Sequence, residues 1–260
     1  MDKMASSTLR LGPAPGLNAC VFAARRPLDS GGRALLLYLH PGTFTEGSCA
    51  AAHARCELLA EAGADVVGLD YPLAPEHPFP ASLVAAFDAL QALAAKPSKL
   101  TGSAQTALFV AGEEAGGNIA AALALMARDQ RAPTLAGQLL ISPMLDPQLG
   151  SASMREGECG DSQCIYAKGW QAYLGDCTRA DHPYATPLNA TRLAGLAPAL
   201  VLSVAGHPLN DEALRYASAL REHGGSAHDL TVPSIAAEHV LAPIHDFLSQ
   251  ATGQALSNPA

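Results

Sequence analysis

The chain has 260 residues, of which 49% are hydrophobic and 15% charged, and its formal net charge is −8 at pH 7. This length fits one α/β domain over residues 1–260, and the composition is that of a globular protein. The acidic balance gives no basic surface for nucleic acid, no apolar run is long enough to cross a bilayer, and no apolar segment follows the N-terminus. We therefore expect a cytoplasmic protein without nucleic-acid or membrane partners.

Short apolar runs alternate with helix-forming segments along the chain. The runs predicted as strands are 9–11, 19–23, 34–40, 64–71, 106–110, 137–141, 199–204 and 226–232. The predicted helices are 50–62, a stretch around 83–90, 119–126, 166–174, 212–222 and 237–250. The central runs are apolar throughout, which is typical of parallel strands buried on both faces. The alternation predicts a mostly parallel sheet with helices on both faces.

The longest interruption of this alternation is the segment 142–188, which contains several Gly and Pro residues and one predicted helix. A long insertion after a central strand usually covers a site. We therefore expect residues 145–185 to form a lid-like insertion within the single domain. The tail 253–260 is expected to fray.

The stretch V-A-G-E-E-A-G-G-N at 110–118 joins a predicted strand to a predicted helix. Strand, tight glycine turn and helix is the arrangement of the nucleophile elbow G-x-S-x-G, in which the nucleophile stands on a strained turn. Glycine is expected at Gly112 and Gly116 because side chains there would collide with neighbouring backbone. The central position holds Glu114 where the pattern needs Ser, which is the main question that the sequence raises.

Four stretches, in the right order, resemble the hormone-sensitive-lipase-like family of α/β-hydrolases, which includes bacterial acetyl esterases. The stretch H-P-G-T-F at 40–44 corresponds to the family's oxyanion loop, H-G-G-G-F/W, and D-Y-P-L-A-P-E-H-P-F-P-A at 70–81 corresponds to D-Y-R-L-A-P-E-H-P-F-P-A. The stretch G-E-E-A-G-G at 112–117 corresponds to the family's elbow, G-D-S-A-G-G. The last stretch, P-A-L-V-L-S-V-A-G-H-P-L-N-D-E at 198–212, corresponds to P-A-L-V-x-x-A-x-x-D-P-L-R-D-E. The resemblance implies the α/β-hydrolase fold with a short or absent N-terminal cap. It also implies a small carbonyl or ester-like substrate and, by analogy, a homodimer.

The departures from the family pattern fall on its catalytic residues. By the resemblance, Glu114 stands in the position of the nucleophilic Ser, and His207 in that of the triad Asp. His239 corresponds to the catalytic His, which is retained. An acyl-enzyme route through Ser needs all three original groups, so ordinary serine esterase activity is not expected.

The oxyanion loop also departs from the family pattern. Pro41 and Thr43 replace two of its three glycines. The resemblance implies that the remaining backbone N–H donors, those of Gly42, Thr43 and Ala115, stabilise a developing oxyanion. Phe44, beside them, is expected to line the pocket.

Glu114 lies at the N-terminus of a predicted helix, where backbone N–H groups and the helix dipole favour negative charge. We expect it to be ionised and to form an ion pair with a protonated His239. The favoured interpretation is acid–base chemistry on a carbonyl compound, with Glu114 as the base and His239 as the acid. The outcome would be elimination, isomerisation or cyclisation rather than hydrolysis.

A second interpretation keeps hydrolysis, with Glu114 as a carboxylate nucleophile or base. An elbow carboxylate can form an ester intermediate, as it does in haloalkane dehalogenases and epoxide hydrolases. His239 would then activate water, although position 207 no longer offers it an acidic partner.

A third interpretation is a pseudoenzyme that binds a ligand or partner. The Glu114 carboxylate would fold into the oxyanion pocket and satisfy the N–H donors itself. The gibberellin receptor, which resembles the same family, binds a ligand without turnover.

Two His and one carboxylate are also the ligand set of some metal sites. In the parental geometry, however, the His lies between the other two groups, so Glu114, His207 and His239 would not converge on one ion. We therefore expect neither a metal nor another cofactor.

Overall fold

A computed structural model of the chain describes residues 7–11, 16–157 and 164–257. Within them the strands are β1 (Ser7–Leu11), β2 (Leu17–Phe22), β3 (Arg33–Leu39), β4 (Ala64–Leu69), β5 (Thr106–Glu113), β6 (Gly137–Ile141), β7 (Ala199–Val204) and β8 (Ala227–Val232). They form one sheet in the order β1-β2-β4-β3-β5-β6-β7-β8. The β1–β2 and β2–β4 pairs are antiparallel, and the other pairs are parallel. The predicted mostly parallel sheet is confirmed.

The helices of the described residues are α1 (His53–Glu61), α2 (Ala81–Ala95), α3 (Ser98–Thr101), α4 (Ala115–Gln130), α5 (Ala152–Glu156), α6 (Ile165–Leu174), α7 (Asn210–Glu222) and α8 (Ala237–Ser257). Two short 3₁₀ turns, Cys177–Asp181 and Pro187–Asn189, lie between α6 and β7. Among these helices, none has both the length and the apolar character needed to cross a bilayer.

Most helix boundaries differ from the prediction by a few residues, and the start of α1 and the end of α8 have a clear reason. α1 begins at His53 rather than at residue 50, since the residues before it form turns. α8 continues to Ser257, although residues from 253 onward were expected to fray. The end of α8 is held because Ala251 and Thr252 are buried. Residues 258–260 of the predicted tail lie outside the described residues.

The core consists of one apolar layer on each face of the sheet. Along β3, Leu35, Leu37 and Leu39 join the layer that contains α2, α4 and α7. Leu36 and Tyr38 join the opposite layer, which contains α1 and α8. This alternation follows from the two-residue period of a strand, and it explains why β3 is apolar throughout.

The register of the parallel strands aligns the loops that follow them. Leu39 at the end of β3 lies opposite Gly112, and Glu113 at the end of β5 lies opposite Ile141 at the end of β6. The segments after β3, β5 and β6 therefore leave the sheet at the same carboxyl edge, where ligands bind in open α/β sheets.

Candidate active site

The turn between β5 and α4 has the tight packing that its glycines predict. A Cβ atom on Gly112 would overlap the carbonyl group of Gly116. A Cβ atom on Gly116 would overlap the carbonyl oxygen of Leu39 on the neighbouring strand. Only glycine fits at either position, which brings the start of α4 against the sheet.

Glu114 occupies the strained position of this turn, with φ 49° and ψ −115°. Its N–H donates to the Ile141 carbonyl oxygen at 3.1 Å, and its carbonyl oxygen accepts from the Met144 N–H at 3.0 Å. A positive φ at a residue other than Gly is uncommon and clusters at functional sites. The surrounding backbone therefore fixes Glu114 at the carboxyl edge of the sheet.

The Glu114 carboxyl group binds the oxyanion loop. Its Oε2 atom accepts a hydrogen bond from the Gly42 N–H at 3.3 Å. Burial raises the pKa of Glu114, the nearby charges of Glu113 and Glu46 raise it further, and the Gly42 hydrogen bond opposes them. Burial and like charge therefore act against the negative charge that the helix N-terminus is expected to favour at Glu114.

His239 lies in the first turn of α8 and is bonded elsewhere. Its Nδ1 atom is 3.2 Å from the Ser234 hydroxyl. No hydrogen bond or ion pair joins His239 to Glu114, both of which the structure describes. The ion pair predicted between them is therefore absent, because each side chain has a different, nearer partner.

His207 follows β7 and is half-buried. Its Nδ1 atom accepts from the Leu209 N–H at 3.2 Å, and its ring meets Tyr166 edge to face. Burial lowers the pKa of His207, which the charge of Glu113 partly offsets. In the described part of the chain, no group of three His, Cys, Asp or Glu side chains is placed to hold a metal ion.

The oxyanion loop contains three consecutive residues with positive φ: 125° at Gly42, 50° at Thr43 and 69° at Phe44. A β-branched residue such as Thr is a genuine outlier there. Within the described residues, the N–H groups of Thr43 and Ala115 have no hydrogen-bond acceptor. The Gly42 N–H is therefore bonded to Glu114, while the N–H groups of Thr43 in the loop and of Ala115 at the start of α4 stay available.

Phe44 packs in the core instead of lining a pocket. Its ring is 1% exposed and stacks on Tyr173 of α6, with centroids 3.9 Å apart and planes at 6°. Trp170 lies 5.1 Å from it, and a Cβ atom on Gly169 would overlap the Thr43 carbonyl. The pocket role expected for Phe44 is therefore wrong: its ring anchors the oxyanion loop to α6, within the segment 145–185.

An ion pair that the sequence does not predict lies beside Glu114. The Arg55 guanidinium of α1 binds the Glu113 carboxylate through Nε–Oε2 at 2.9 Å and Nη2–Oε1 at 3.1 Å. Nη1 donates to the Ile235 carbonyl oxygen at 3.1 Å, and the Tyr38 hydroxyl donates to Glu113 Oε2 at 3.3 Å. The partners are 58 residues apart in sequence, so the only local signal was a pair of acids ending a buried strand.

A cavity of about 430 Å³ opens beside Glu114. Its walls come from the elbow, the oxyanion loop and the residues that lead into α1. The lining residues are His40, Pro41, Gly42, Glu46, Gly47, Ser48, Ala51, Ala52, Glu113 and Glu114. The volume suits a small molecule, and Glu114 and its hydrogen-bond partner Gly42 both line the cavity.

Comparison with known proteins identifies relatives of this chain. The family model described as alpha/beta hydrolase fold matches residues 36–237. The chain is 36% identical over 216 residues to a carboxylic ester hydrolase, LipN, of Mycobacterium tuberculosis, covering 79% of this chain but only 56% of LipN. It is 30% identical over 201 residues to the gibberellin receptor GID1 of Oryza sativa, covering 73% of this chain and 56% of the receptor. A solved arylesterase structure superposes with a TM-score of 0.84 at 25% identity, covering 94% of this chain and 83% of that one.

Proposed function

Because this chain belongs to the family of proteins with the alpha/beta hydrolase fold, we propose that it is an esterase-like enzyme. Its substrate is a small carbonyl compound, on which it acts through the Glu114 carboxyl group. The observation that carries the proposal is the position of this carboxyl group. It stands on the strained turn at φ 49°, it has a raised pKa, and it faces a small-molecule cavity beside a backbone N–H donor.

Glu114 also defines which chemistry is excluded. The elbow residue has no hydroxyl group, so no acyl-enzyme forms at this position by the serine route. A partly buried carboxyl group with a raised pKa is instead suited to general base catalysis near neutral pH. We therefore expect proton abstraction from the carbon next to the carbonyl group.

The Gly42 N–H links substrate binding to proton transfer. In the free protein it donates to Glu114 Oε2 over a long 3.3 Å, and this bond opposes the rise in the Glu114 pKa. A substrate carbonyl that takes over the donor removes that opposition, so Glu114 becomes more basic when the substrate is bound. The same N–H, with those of Thr43 and Ala115, then stabilises the enolate oxygen.

The proposed reaction uses one base. Because His239 is hydrogen-bonded to Ser234 and not to Glu114, Glu114 takes the proton from carbon and returns it to the product. This cycle supports isomerisation, or elimination when a leaving group accepts the proton. Hydrolysis through a Glu114 ester is less well supported, because His207 bonds to backbone and offers no acidic partner for His239.

Exchange of carbon-bound hydrogen with solvent tests this function. Short ketones and esters, such as cyclohexanone and ethyl acetate, are incubated with the protein in D₂O and followed by proton NMR. We expect wild type to exchange the α-protons of at least one probe, Glu114→Gln to abolish the exchange, and the control Glu222→Gln, on an exposed carboxyl group of α7, to retain it. Equal exchange by wild type and Glu114→Gln would overturn the proposal, and ester cleavage would appear in the same spectra.

A second candidate is ligand binding without turnover, and one observation favours it. The Glu114 carboxyl group already occupies the Gly42 N–H, the donor that a substrate oxygen would need. The match to the gibberellin receptor adds a relative whose name indicates binding. This candidate predicts saturable shifts of protein resonances on adding a probe, without α-proton exchange in either wild type or Glu114→Gln.

A further inference from the structure

Three acidic residues, Glu46, Glu113 and Glu114, line the cavity. The Arg55 guanidinium neutralises the middle one through two hydrogen bonds. Arg55 and Glu113 are only 19% and 18% exposed, so water screens their charges weakly. Glu113 immediately precedes the elbow residue, and its charge is one cause of the raised pKa of Glu114.

We propose that Arg55 is a positioning residue for the candidate active site, which holds the Glu113 charge in a two-point ion pair and thereby sets the proton affinity of Glu114. The inference rests on the proposed function, in which Glu114 exchanges a proton with the substrate. Arg55 itself does not contact the reacting atoms; it acts through Glu113.

The groups around Glu114 define the electrostatic balance that Arg55 controls. Glu113 and Glu46 add negative charge, and the buried Tyr71 hydroxyl is near enough to be influenced by Glu114. His40 lines the same cavity, and burial lowers its pKa. Arg55 is the cation that pairs with Glu113. Its removal would leave the negative charge of Glu113 unpaired next to Glu114.

Arg55 also joins the two parts of the site. Its Nη1 atom donates to the Ile235 carbonyl oxygen at 3.1 Å, one residue beyond Ser234, the partner of His239. The same side chain therefore binds the end of β5 and the segment that leads into α8. A flexible Lys cannot reproduce this planar, three-donor arrangement.

Titration of the Glu114 carboxyl group tests the inference without any turnover. The protein is labelled with ¹³C at the glutamate carboxyl carbons, and Glu114 is identified as the signal missing from Glu114→Gln. The midpoint is then measured in wild type, Arg55→Met, Glu113→Gln and the double variant. We expect Arg55→Met to raise the midpoint by about one pH unit and Glu113→Gln to lower it by a similar amount. The double variant should titrate close to wild type.

An unchanged midpoint in Arg55→Met would overturn the inference. If Arg55→Met does not fold, Glu113→Gln and the double variant decide, because they differ only in the Arg55 charge. Glu113→Gln must then titrate lower, and equal midpoints would overturn the inference. The midpoints are independent of catalysis, so a failure of the proposed function appears as missing α-proton exchange while the midpoints still move.

Discussion

Glu212 at the start of α7 gives the chain a pH-dependent stability that one substitution removes. The side chain is 1% exposed. Its Oε2 atom accepts from the N–H groups of Leu145 and Asp146, each at 2.5 Å, while Oε1 is buried without a partner in the described part of the chain. Burial raises the pKa of Glu212 from 4.5 to about 8, against the effect of the two backbone donors.

The sign and size of the effect follow from this pKa. The group is neutral in the folded chain and ionised in the unfolded chain over the interval between the two pKa values, so stability falls as pH rises through it. At about 1.36 kcal/mol per pKa unit, the free energy of unfolding should drop by about 2 to 3 kcal/mol between pH 6 and pH 9. Above the folded-state value the contribution is fully lost.

Urea denaturation at a series of pH values measures this loss, and Glu212→Gln isolates it. The amide keeps an oxygen for the two backbone donors but cannot ionise, so we expect the difference between wild type and variant to change by the stated amount. The control Glu222→Gln, on an exposed carboxyl group of the same helix, should follow wild type. Parallel curves for wild type and Glu212→Gln would refute the reasoning, since they would mean that the backbone donors keep Glu212 ionised in the folded chain.

Two further predictions concern the oxyanion loop and the elbow. Phe44→Ala should lower the free energy of unfolding, measured by urea denaturation, by about 3–5 kcal/mol, because it leaves a cavity against α6. The control Val84→Ala, at a residue that is 47% exposed, should change the free energy of unfolding by no more than about 0.5 kcal/mol. Equal effects of the two substitutions would contradict the packing role of Phe44. Glu114→Ser alone should leave the hydrolysis of 4-nitrophenyl acetate, followed by absorbance, at the background rate. The double variant Glu114→Ser with His207→Asp should hydrolyse it faster, because a Ser–His pair needs an orienting carboxylate. Full activity of the single variant would contradict the need for that carboxylate.

The sheet could be predicted closely because each central strand carries its own signal. The predicted bounds of β6 and β7 match the structure, since short apolar runs bounded by turn residues leave little freedom. The elbow could also be predicted from the sequence, because the close backbone contacts of this turn require glycine at positions 112 and 116. The fold thus follows from local patterns that agree with one another.

The partners of the site residues could not be predicted in the same way. The resemblance brought Glu114 and His239 together on the assumption that Glu reaches where Ser would. The longer side chain instead reaches Gly42, and His239 bonds to Ser234. The Arg55–Glu113 pair joins α1 to β5, and no periodicity marks such a contact. Phe44 was placed in the pocket because its loop is near it, whereas the ring turns into the core.

The pH dependence of α-proton exchange tests most directly whether Glu114 is the base. With the best exchanging ketone or ester, the rate in wild type should rise with pH and level off above the Glu114 pKa, with a midpoint above the 4.5 of an ordinary Glu. Glu114→Gln should show no such rise. A Glu114→Gln variant that keeps the wild-type profile would contradict the account, because the proton would then be leaving to another group.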